Sequence, residues 1–242
     1  MDIKNIKKEF PIFKQKINGK PLVYLDSANS SQKPKVVIDK ISNFYETEFS
    51  NVGRSVHTLA VKATNRFEAT RDKVQKYLNA KHREEIIFTK GATEAINLVA
   101  SSYGKKYINK GDEILITELE HHSNYVPWNF LRTEKGAIIK FAQVNEGGDV
   151  EVEEIKKLIT NKTKMIAITH ISNVTGAVLP ITKIVDLAKE KNIPVLIDGT
   201  QGAPHSKIDM QKIGCDFYAI SCHKMYGPNG LGILYMKKKW VD

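Results

Sequence analysis

The stretch that decides the fold is residues 165–197, which read MIAITHISNVTGAVLPITKIVDLAKEKNIPVLI. It begins with the apolar run 165–169 and ends with the apolar run 195–197. Between these runs, apolar residues recur at helical spacing at Ile181, Ile184, Val185 and Ala188. This pattern predicts a strand–helix–strand crossover, which is almost always right-handed. Because both strands are apolar without alternation, they predict a parallel sheet with helices on both faces.

The alternation of strands and helices extends to both sides of this unit. Further strands are predicted at 22–25, 85–88, 114–116, 137–144 and 217–220. Helices are predicted at 3–10, 34–49, 59–78 and 151–159. Two further helices are predicted, one that begins at 91–93 and one that Ser123 caps and Gly136 ends. A last strand, 232–236, follows a loop too short for a parallel crossover, so we expect it to lie antiparallel.

Composition and charge limit the classes of function. The 242 residues are 41% hydrophobic and 26% charged, with no apolar stretch that could span a bilayer and no signal peptide. The two cysteines, Cys215 and Cys222, form no disulfide framework, which favours a reducing compartment and a cytoplasmic location. A net charge of +10 is compatible with a nucleic-acid or membrane partner. However, the lysines are dispersed and no aromatic residues interleave with them, so we expect a lysine-rich surface, no nucleic acid and no membrane.

Polar residues follow the predicted strands at their carboxyl ends, where open α/β sheets bind ligands. They form five groups, at 89–93, 118–124, 170–173, 198–201 and 221–224. In the last two groups, Asp198 and Lys224 stand at the ends of two strands. A lysine amine can form a Schiff base with the aldehyde of pyridoxal phosphate, and a carboxylate can keep the pyridine nitrogen protonated. Asp198 alone could equally be a metal ligand or a helix cap.

The segment Gly91-Ala92-Thr93 is a candidate phosphate site. Glycine lets a ligand approach the backbone, and the N–H groups and dipole of a helix start favour an anion. An ordinary helix cap is the alternative interpretation of these residues. No Walker loop and no dinucleotide-binding glycine motif is found in the sequence.

Other candidate site residues can be interpreted in more than one way. His121 and His122 could stack on a pyridine ring and transfer protons, or could be a surface pair. Gln201 could donate a hydrogen bond to the cofactor phenolate. Cys215 and Cys222 are interpreted as packing residues. No metal site is expected, because the metal-binding His and Cys spacings are missing from the sequence.

The sequence resembles a known family in several motifs. The lysine segment 216–228, DFYAISCHKMYGP, resembles class V aminotransferase-type enzymes of pyridoxal phosphate fold type I. The segments YLDSA (24–28), GATEAINLV (91–99), EHHSNYVPW (120–128) and THISNVTG (169–176) are similar to those of group II cysteine desulfurases of iron–sulfur cluster assembly, which are close relatives of selenocysteine lyases. The resemblance covers almost the whole chain. It implies a three-layer α/β/α, aspartate aminotransferase-like large domain whose mostly parallel sheet has one antiparallel strand.

The resemblance also implies residue roles. Lys224 holds the cofactor and shuttles the Cα proton, and His121 stacks on the ring and assists proton transfer. Asp198 pairs with the pyridine nitrogen and Gln201 with the phenolate oxygen. Thr93, Ser221 and His223 bind the phosphate, and Ala92 is a further cofactor-binding residue. Asn173 contacts a cofactor oxygen or the substrate carboxylate. The implied substrate is L-cysteine, the implied products are L-alanine and a protein-bound persulfide, and the implied assembly is a homodimer that hands sulfur to an acceptor protein.

The sequence departs from the family in two ways. The family has small residues where Asn29 and Cys222 stand here. Its members also continue past the length of this chain, with the cysteine that takes the sulfur and the arginine that binds the substrate carboxylate. We therefore interpret 1–22 as an N-terminal arm that joins the small domain and 23–242 as an incomplete cofactor domain of an N-terminal fragment. We expect no turnover by this chain alone. The alternatives are a selenocysteine lyase, another class V enzyme, or an inactive cofactor-domain fragment.

Overall fold

The computed structural model describes residues 2–241. The helices are α1 Ile3–Lys8, α2 Lys35–Thr47, α3 Thr58–Tyr77, α4 Ala92–Val99, α5 Lys105–Tyr107, α6 Val126–Lys135, α7 Val152–Leu158, α8 Ile181–Glu190, α9 Gly202–His205 and α10 Met210–Ile213. The strands are β1 Lys16–Ile17, β2 Lys20–Pro21, β3 Ile86–Thr89, β4 Glu113–Thr117, β5 Ile138–Ala142, β6 Thr163–Thr169, β7 Val195–Asp198, β8 Phe217–Ser221 and β9 Gly232–Met236. Short 3-10 turns lie at Pro11–Lys14, Arg83–Glu85, His122–Asn124, Cys222–Lys224 and Lys238–Trp240, and a π-helical turn at Ala100–Gly104.

One large sheet organises the molecule, with the strand order β3-β9-β8-β7-β6-β4-β5. The strands β5, β4, β6, β7 and β8 pair in parallel. The strand β9 is antiparallel to both of its neighbours, β8 and β3. The prediction of a mostly parallel sheet with one antiparallel strand is therefore confirmed.

Helices cover both faces of this sheet, as the apolar strands require. Successive residues of β6 point to opposite faces, so that Ile166 and Ile168 belong to one apolar core, whereas Met165 and Ala167 belong to the other. The helix α8 packs in the first core, and α4 and α6 pack in the second. The result is the predicted three-layer α/β/α arrangement.

Two local predictions were wrong. Residues 22–25 form no strand; the segment is extended, but Val23 and Leu25 are 75% and 91% exposed and pair with no strand among the described residues. A short apolar run is not enough for a strand without a partner that accepts its hydrogen bonds. Ser123 does not cap the following helix, because it lies inside the turn His122–Asn124 and α6 begins only at Val126.

The N-terminal residues form a small substructure of α1, one 3-10 turn and the hairpin of β1 and β2. The backbone N–H of Lys35 donates to the carbonyl of Glu9 at 2.7 Å, and the ring of Phe10 packs edge-on against Tyr226. Within residues 2–241, no helix is both long and apolar enough to cross a membrane.

Candidate active site

A pocket of about 190 Å³ lies at the carboxyl edge of the parallel strands. All nine residues that the sequence singled out as catalytic or cofactor-binding line it, namely Ala92, Thr93, His121, Asn173, Asp198, Gln201, Ser221, His223 and Lys224. They come from five separate strand ends, and the parallel sheet brings those ends to one edge.

Asp198 and Lys224 reach the pocket from the neighbouring strands β7 and β8. Asp198 is the last residue of β7 and is 4% exposed, and its Oδ1 accepts a hydrogen bond from the backbone N–H of Thr200 at 3.0 Å. Lys224 follows β8 in a 3-10 turn. Burial lowers the pKa of the Lys224 amine, while the negative charge of Asp198 partly opposes that shift. The lowered pKa raises the fraction of neutral amine, which is the nucleophilic form.

The lysine turn is fastened to the N-terminal part of the chain. The carbonyl of His223 accepts hydrogen bonds from the backbone N–H of Ser31 at 3.1 Å, from the Ser31 hydroxyl at 3.0 Å and from the Lys33 amine at 2.8 Å. Ser31 Oγ also accepts from the backbone N–H of Tyr226 at 2.8 Å. Lys224 therefore lies between two residues that are both bonded to the same serine.

The candidate phosphate cradle joins the start of α4 to the end of β8. The backbone N–H of Ala92 donates to Ser221 Oγ at 2.9 Å, which leaves the hydroxyl hydrogen of Ser221 free to point at a ligand. Thr93 and His223 line the same part of the pocket, and His223 Nδ1 lies 3.2 Å from Ser30 Oγ. Burial and the neighbouring charges of Lys224 and Lys33 lower the pKa of His223.

The side chains of His121 and Gln201 in this pocket are also held in place. His121 Nδ1 lies 2.7 Å from Ser123 Oγ and accepts from the Ser123 backbone N–H at 3.1 Å, so its Nε2 is the nitrogen free to carry a proton toward a ligand. Gln201 Nε2 donates to the carbonyl of Ala28 at 2.6 Å and has a second N–H to offer. His122 lies outside this pocket, which favours His121 as the stacking residue of the pair.

Sequence reasoning did not single out several lining residues as site residues. Asn29, Ser123, Thr169, Ile171 and Thr200 also border the pocket. The hydroxyl of Thr200 is buried and has no hydrogen-bond partner among residues 2–241. In the sequence, Thr200 is marked by its place between Asp198 and Gln201. Asn29 is marked by its place in the polar turn after Tyr24.

A buried pair, His170 and Tyr218, packs against the turn that follows Asp198. His170 Nδ1 lies 2.8 Å from the hydroxyl of Tyr218, and burial lowers the pKa of His170 to about 4, so the ring is neutral near pH 7. A Cβ on Gly202 would lie 2.1 Å from His170 Nδ1, and one on Gly199 would lie 1.8 Å from a ring carbon of Tyr218. The turn that carries Asp198 can approach this pair only because both positions are glycine.

Neither cysteine of the sequence lines the pocket. Cys215 and Cys222 are both buried, and burial raises the pKa of Cys222 to about 11 and that of Cys215 further. A thiol with a raised pKa is a poor nucleophile. The interpretation of both as packing residues therefore fits their surroundings.

Comparison with known proteins is consistent with this site. The sequence model of the family described as Aminotransferase class-V matches residues 23–242. The chain belongs to the class-V aminotransferase family. A cysteine desulfurase of Yersinia pseudotuberculosis is 47% identical over 235 residues, which are 97% of this chain and 58% of that protein.

Two solved structures extend the comparison. A cysteine desulfurase from Escherichia coli superposes with a TM-score of 0.87 at 36% identity, covering 99% of this chain and 59% of the other. An apo cysteine desulfurase from Thermococcus onnurineus superposes with a TM-score of 0.91 at 32% identity, covering 98% of this chain and 57% of the other. The chain thus spans less than two thirds of the length of each of these class-V relatives.

Enzymes of this family depend on pyridoxal phosphate. The donor set of the pocket fits that cofactor: a lysine with a lowered pKa, a buried carboxylate, and hydroxyl and imidazole groups at a helix start. The unpartnered Thr200 hydroxyl adds a polar atom that a polar ligand would satisfy.

Proposed function

We propose that this chain forms the cofactor-binding part of a cysteine desulfurase. The reaction converts L-cysteine and a protein thiol into L-alanine and a protein persulfide. The observation that carries the proposal is the meeting of Lys224, Asp198 and His121 in one pocket beside a phosphate cradle. The cysteine desulfurases among the relatives support the same reaction.

Each residue of the pocket would have its own role in cofactor binding or in the reaction. Bound pyridoxal phosphate supplies an electron-withdrawing ring to which the substrate amine is attached. Asp198 would keep a proton on the pyridine nitrogen, because a buried carboxylate beside it favours the protonated form. Lys224 would hold the cofactor and then, as an amine, take the proton from the substrate Cα. Thr93, Ser221 and His223 would bind the phosphate, and Ala92 would hold Ser221 in place through its backbone N–H.

His121, Gln201 and Asn173 would orient the reacting groups. The imidazole of His121 would cover one face of the ring and pass a proton through Nε2. The free N–H of Gln201 would donate to the phenolate oxygen. Asn173 would contact a cofactor oxygen or the substrate carboxylate.

The thiol that accepts the sulfur would not be Cys215 or Cys222. Both are buried away from the pocket, and both have raised pKa values. We therefore propose that a cysteine from outside this chain's 242 residues takes the sulfur and that an acceptor protein receives it. The chain produced alone is expected to form no persulfide from L-cysteine.

A homodimer is the proposed assembly. The helix α2 has no buried residue, although it is amphipathic. Val36, Tyr45 and, just after the helix, Phe49 are 69%, 66% and 58% exposed. An apolar surface of this kind is typical of a protein interface. A second copy of the protein would cover it.

The proposal also covers the domain organisation of the protein and its cellular compartment. Residues 1–22 would be an arm that joins a small domain, and 23–242 would be the cofactor domain; the family match over 23–242 supports this boundary. Two unpaired cysteines favour a reducing, cytoplasmic compartment.

Borohydride trapping tests the cofactor site. The chain would be loaded with pyridoxal phosphate, reduced with borohydride and digested, and the modified peptide located by mass spectrometry. The label is expected on Lys224 and is expected to vanish in Lys224→Ala but not in Lys237→Ala, since Lys237 lies at the opposite edge of the sheet. A label on another lysine would contradict the assignment.

Alanine formation tests the reaction. Protein purified from its source cells, mixed with L-cysteine and a reductant, is expected to release alanine and sulfide in equal amounts. If no alanine forms, the proposed reaction is wrong. Alanine formation from selenocysteine with none from cysteine would assign the protein to the lyases instead.

A further inference from the structure

The strands β4 and β6 separate at the pocket edge of the sheet. The pairing of β4 with β5 continues to Thr117, whereas the pairing of β4 with β6 ends at Leu115 and Ile166. The chain runs outward from β4 to β5 and then returns to the other side of β4 to form β6. Such a reversal is the topological switch point at which ligands bind in open α/β sheets.

The carboxyl group of Glu120 fills the gap between these two strands. Its Oε1 accepts hydrogen bonds from the hydroxyl of Thr117 at 2.6 Å and from the backbone N–H of Thr169 at 2.9 Å. Its Oε2 accepts from Asn124 Nδ2 at 2.6 Å. One side chain thus joins the end of β4, the end of β6 and the turn that follows His121.

The amide of Asn124 is fixed in its orientation. Asn124 and Trp128 are both fully buried, and the indole N–H of Trp128 donates to Asn124 Oδ1 at 3.1 Å. Asn124 must therefore present its NH₂ group to Glu120, which has to provide an acceptor there. The requirement for a carboxyl group at residue 120 is set by the packing of Trp128.

The position of His121 depends on these bonds. His121 follows Glu120 directly, and its ring bonds to Ser123, the residue before Asn124. The turn that carries His121 is thus held at both ends by one carboxyl group. Thr169, the partner of Glu120 on β6, is also the register partner of Asp198 on β7.

We propose that Glu120 is a positioning residue of the active site, which fixes the turn of His121 relative to Asp198 by bridging the gap between β4 and β6. Glu120 does not itself line the pocket. The inference rests on the proposed function, because it assumes that His121 covers bound pyridoxal phosphate.

The replacement Glu120→Gln tests the requirement for an acceptor at both oxygens. A glutamine amide must place its NH₂ against either the Asn124 NH₂ or the Thr169 N–H, so one donor faces another in either orientation. We expect the variant to bind pyridoxal phosphate about tenfold more weakly, because the turn would no longer hold His121 against the cofactor. We also expect a weaker visible circular dichroism band of the bound cofactor and faster hydrogen exchange at the Thr169 amide.

The matched control is Glu118→Gln in the same loop. Among residues 2–241, Glu118 Oε2 accepts only from the backbone N–H of Val144 at 3.0 Å, and a glutamine oxygen can keep that bond. Cofactor affinity, the dichroism band and exchange at Thr169 are expected to match those of the wild type. If Glu120→Gln does not fold, Thr117→Val is tested by the same three measurements. It keeps the side-chain shape but removes the hydroxyl that bonds to Glu120 and that also accepts from the Leu119 N–H at 3.2 Å.

The outcomes separate this inference from the proposed function. Weaker binding and a weaker dichroism band in Glu120→Gln or Thr117→Val, with Glu118→Gln unchanged, would support the positioning role. Wild-type binding and dichroism in a folded Glu120→Gln would overturn the inference alone. A wild-type protein that binds no pyridoxal phosphate would overturn the proposed function, and the inference with it.

Discussion

The backbone N–H of Ala92 donates a 2.9 Å hydrogen bond to the hydroxyl oxygen of Ser221, 129 residues away in the chain. This bond ties the start of α4 to the end of β8, the strand that leads to Lys224. It also orients the serine, because an oxygen that accepts from Ala92 directs its own hydrogen elsewhere. The phosphate cradle and the lysine turn are thus parts of one bonded unit.

Replacing Ser221 by alanine is expected to weaken both binding and folding. The Ala92 N–H would lose its buried acceptor, which costs about 1–3 kcal/mol of unfolding free energy. Affinity for pyridoxal phosphate is expected to fall by about tenfold, as the loss of one hydrogen bond to a charged group would cause. Urea unfolding and cofactor titration measure the two effects. Ser101→Ala, at an exposed serine on the π-helical turn, should change neither; equal losses in the two variants would contradict the role of Ser221.

Replacing Gly202 by alanine is expected to destabilise the fold. The new Cβ would lie 2.1 Å from His170 Nδ1, so the Asp198 turn or the buried His170 would have to move. Overpacking of this kind costs about 1–3 kcal/mol. Gly91→Ala is the control, since its Cβ would meet only Ser221 Oγ at an ordinary 3.6 Å. Thermal melting of both variants without cofactor checks the prediction, and a Gly202→Ala melting temperature equal to that of Gly91→Ala would contradict it.

Sequence patterns predicted the sheet and the edge of the sheet at which the pocket lies, because both follow from residues close together in the sequence. Apolar runs such as 195–197 and the polar residues after them, such as Asp198, are visible without a structure. The partners of those residues were not visible. The bond from Ala92 to Ser221, the bridge of Glu120 to Thr169 and the contact of Gly202 with His170 all join distant parts of the chain. The strand predicted at 22–25 was wrong for the same reason, since a strand needs a neighbour that the pattern does not show.

Ser31 is expected to be required for the stability of the lysine turn. Its hydroxyl donates to the carbonyl of His223 at 3.0 Å and accepts from the N–H of Tyr226 at 2.8 Å. Ser31→Ala would break both bonds and leave the Tyr226 N–H without that acceptor, at a cost of about 1–3 kcal/mol. Urea unfolding measures the loss, with the exposed Ser101→Ala as control. Unchanged stability would show that the two bonds are replaced by water.

Ionisation of Glu120 should make the free energy of unfolding depend on pH. Burial, with the nearby charge of Asp198, raises the pKa of Glu120 to about 8 from 4.5, although its hydrogen bonds from Thr117, Asn124 and Thr169 oppose the shift. Between these two pH values the folded protein holds a proton that the unfolded chain releases. The free energy of unfolding therefore falls as pH rises, by up to about 1.4 kcal/mol per pH unit. The hydroxyl of Thr117 can accept from the protonated acid or donate to the carboxylate, so the fold persists in both states.

The comparison of wild type with Glu120→Gln isolates this effect. His170 acts in the opposite direction below pH 6.5, because its pKa is lowered to about 4 and the unfolded chain binds a proton there that the folded protein does not. The useful window therefore runs from pH 6.5 to about 8, between the ordinary pKa of His170 and the raised pKa of Glu120. In this window the stability advantage of wild type over Glu120→Gln is expected to shrink with each step in pH, because other titrating groups are common to both proteins and cancel. Urea unfolding of both proteins across the window measures the difference, and a constant gap would mean that Glu120 is already ionised in the folded protein at pH 6.5.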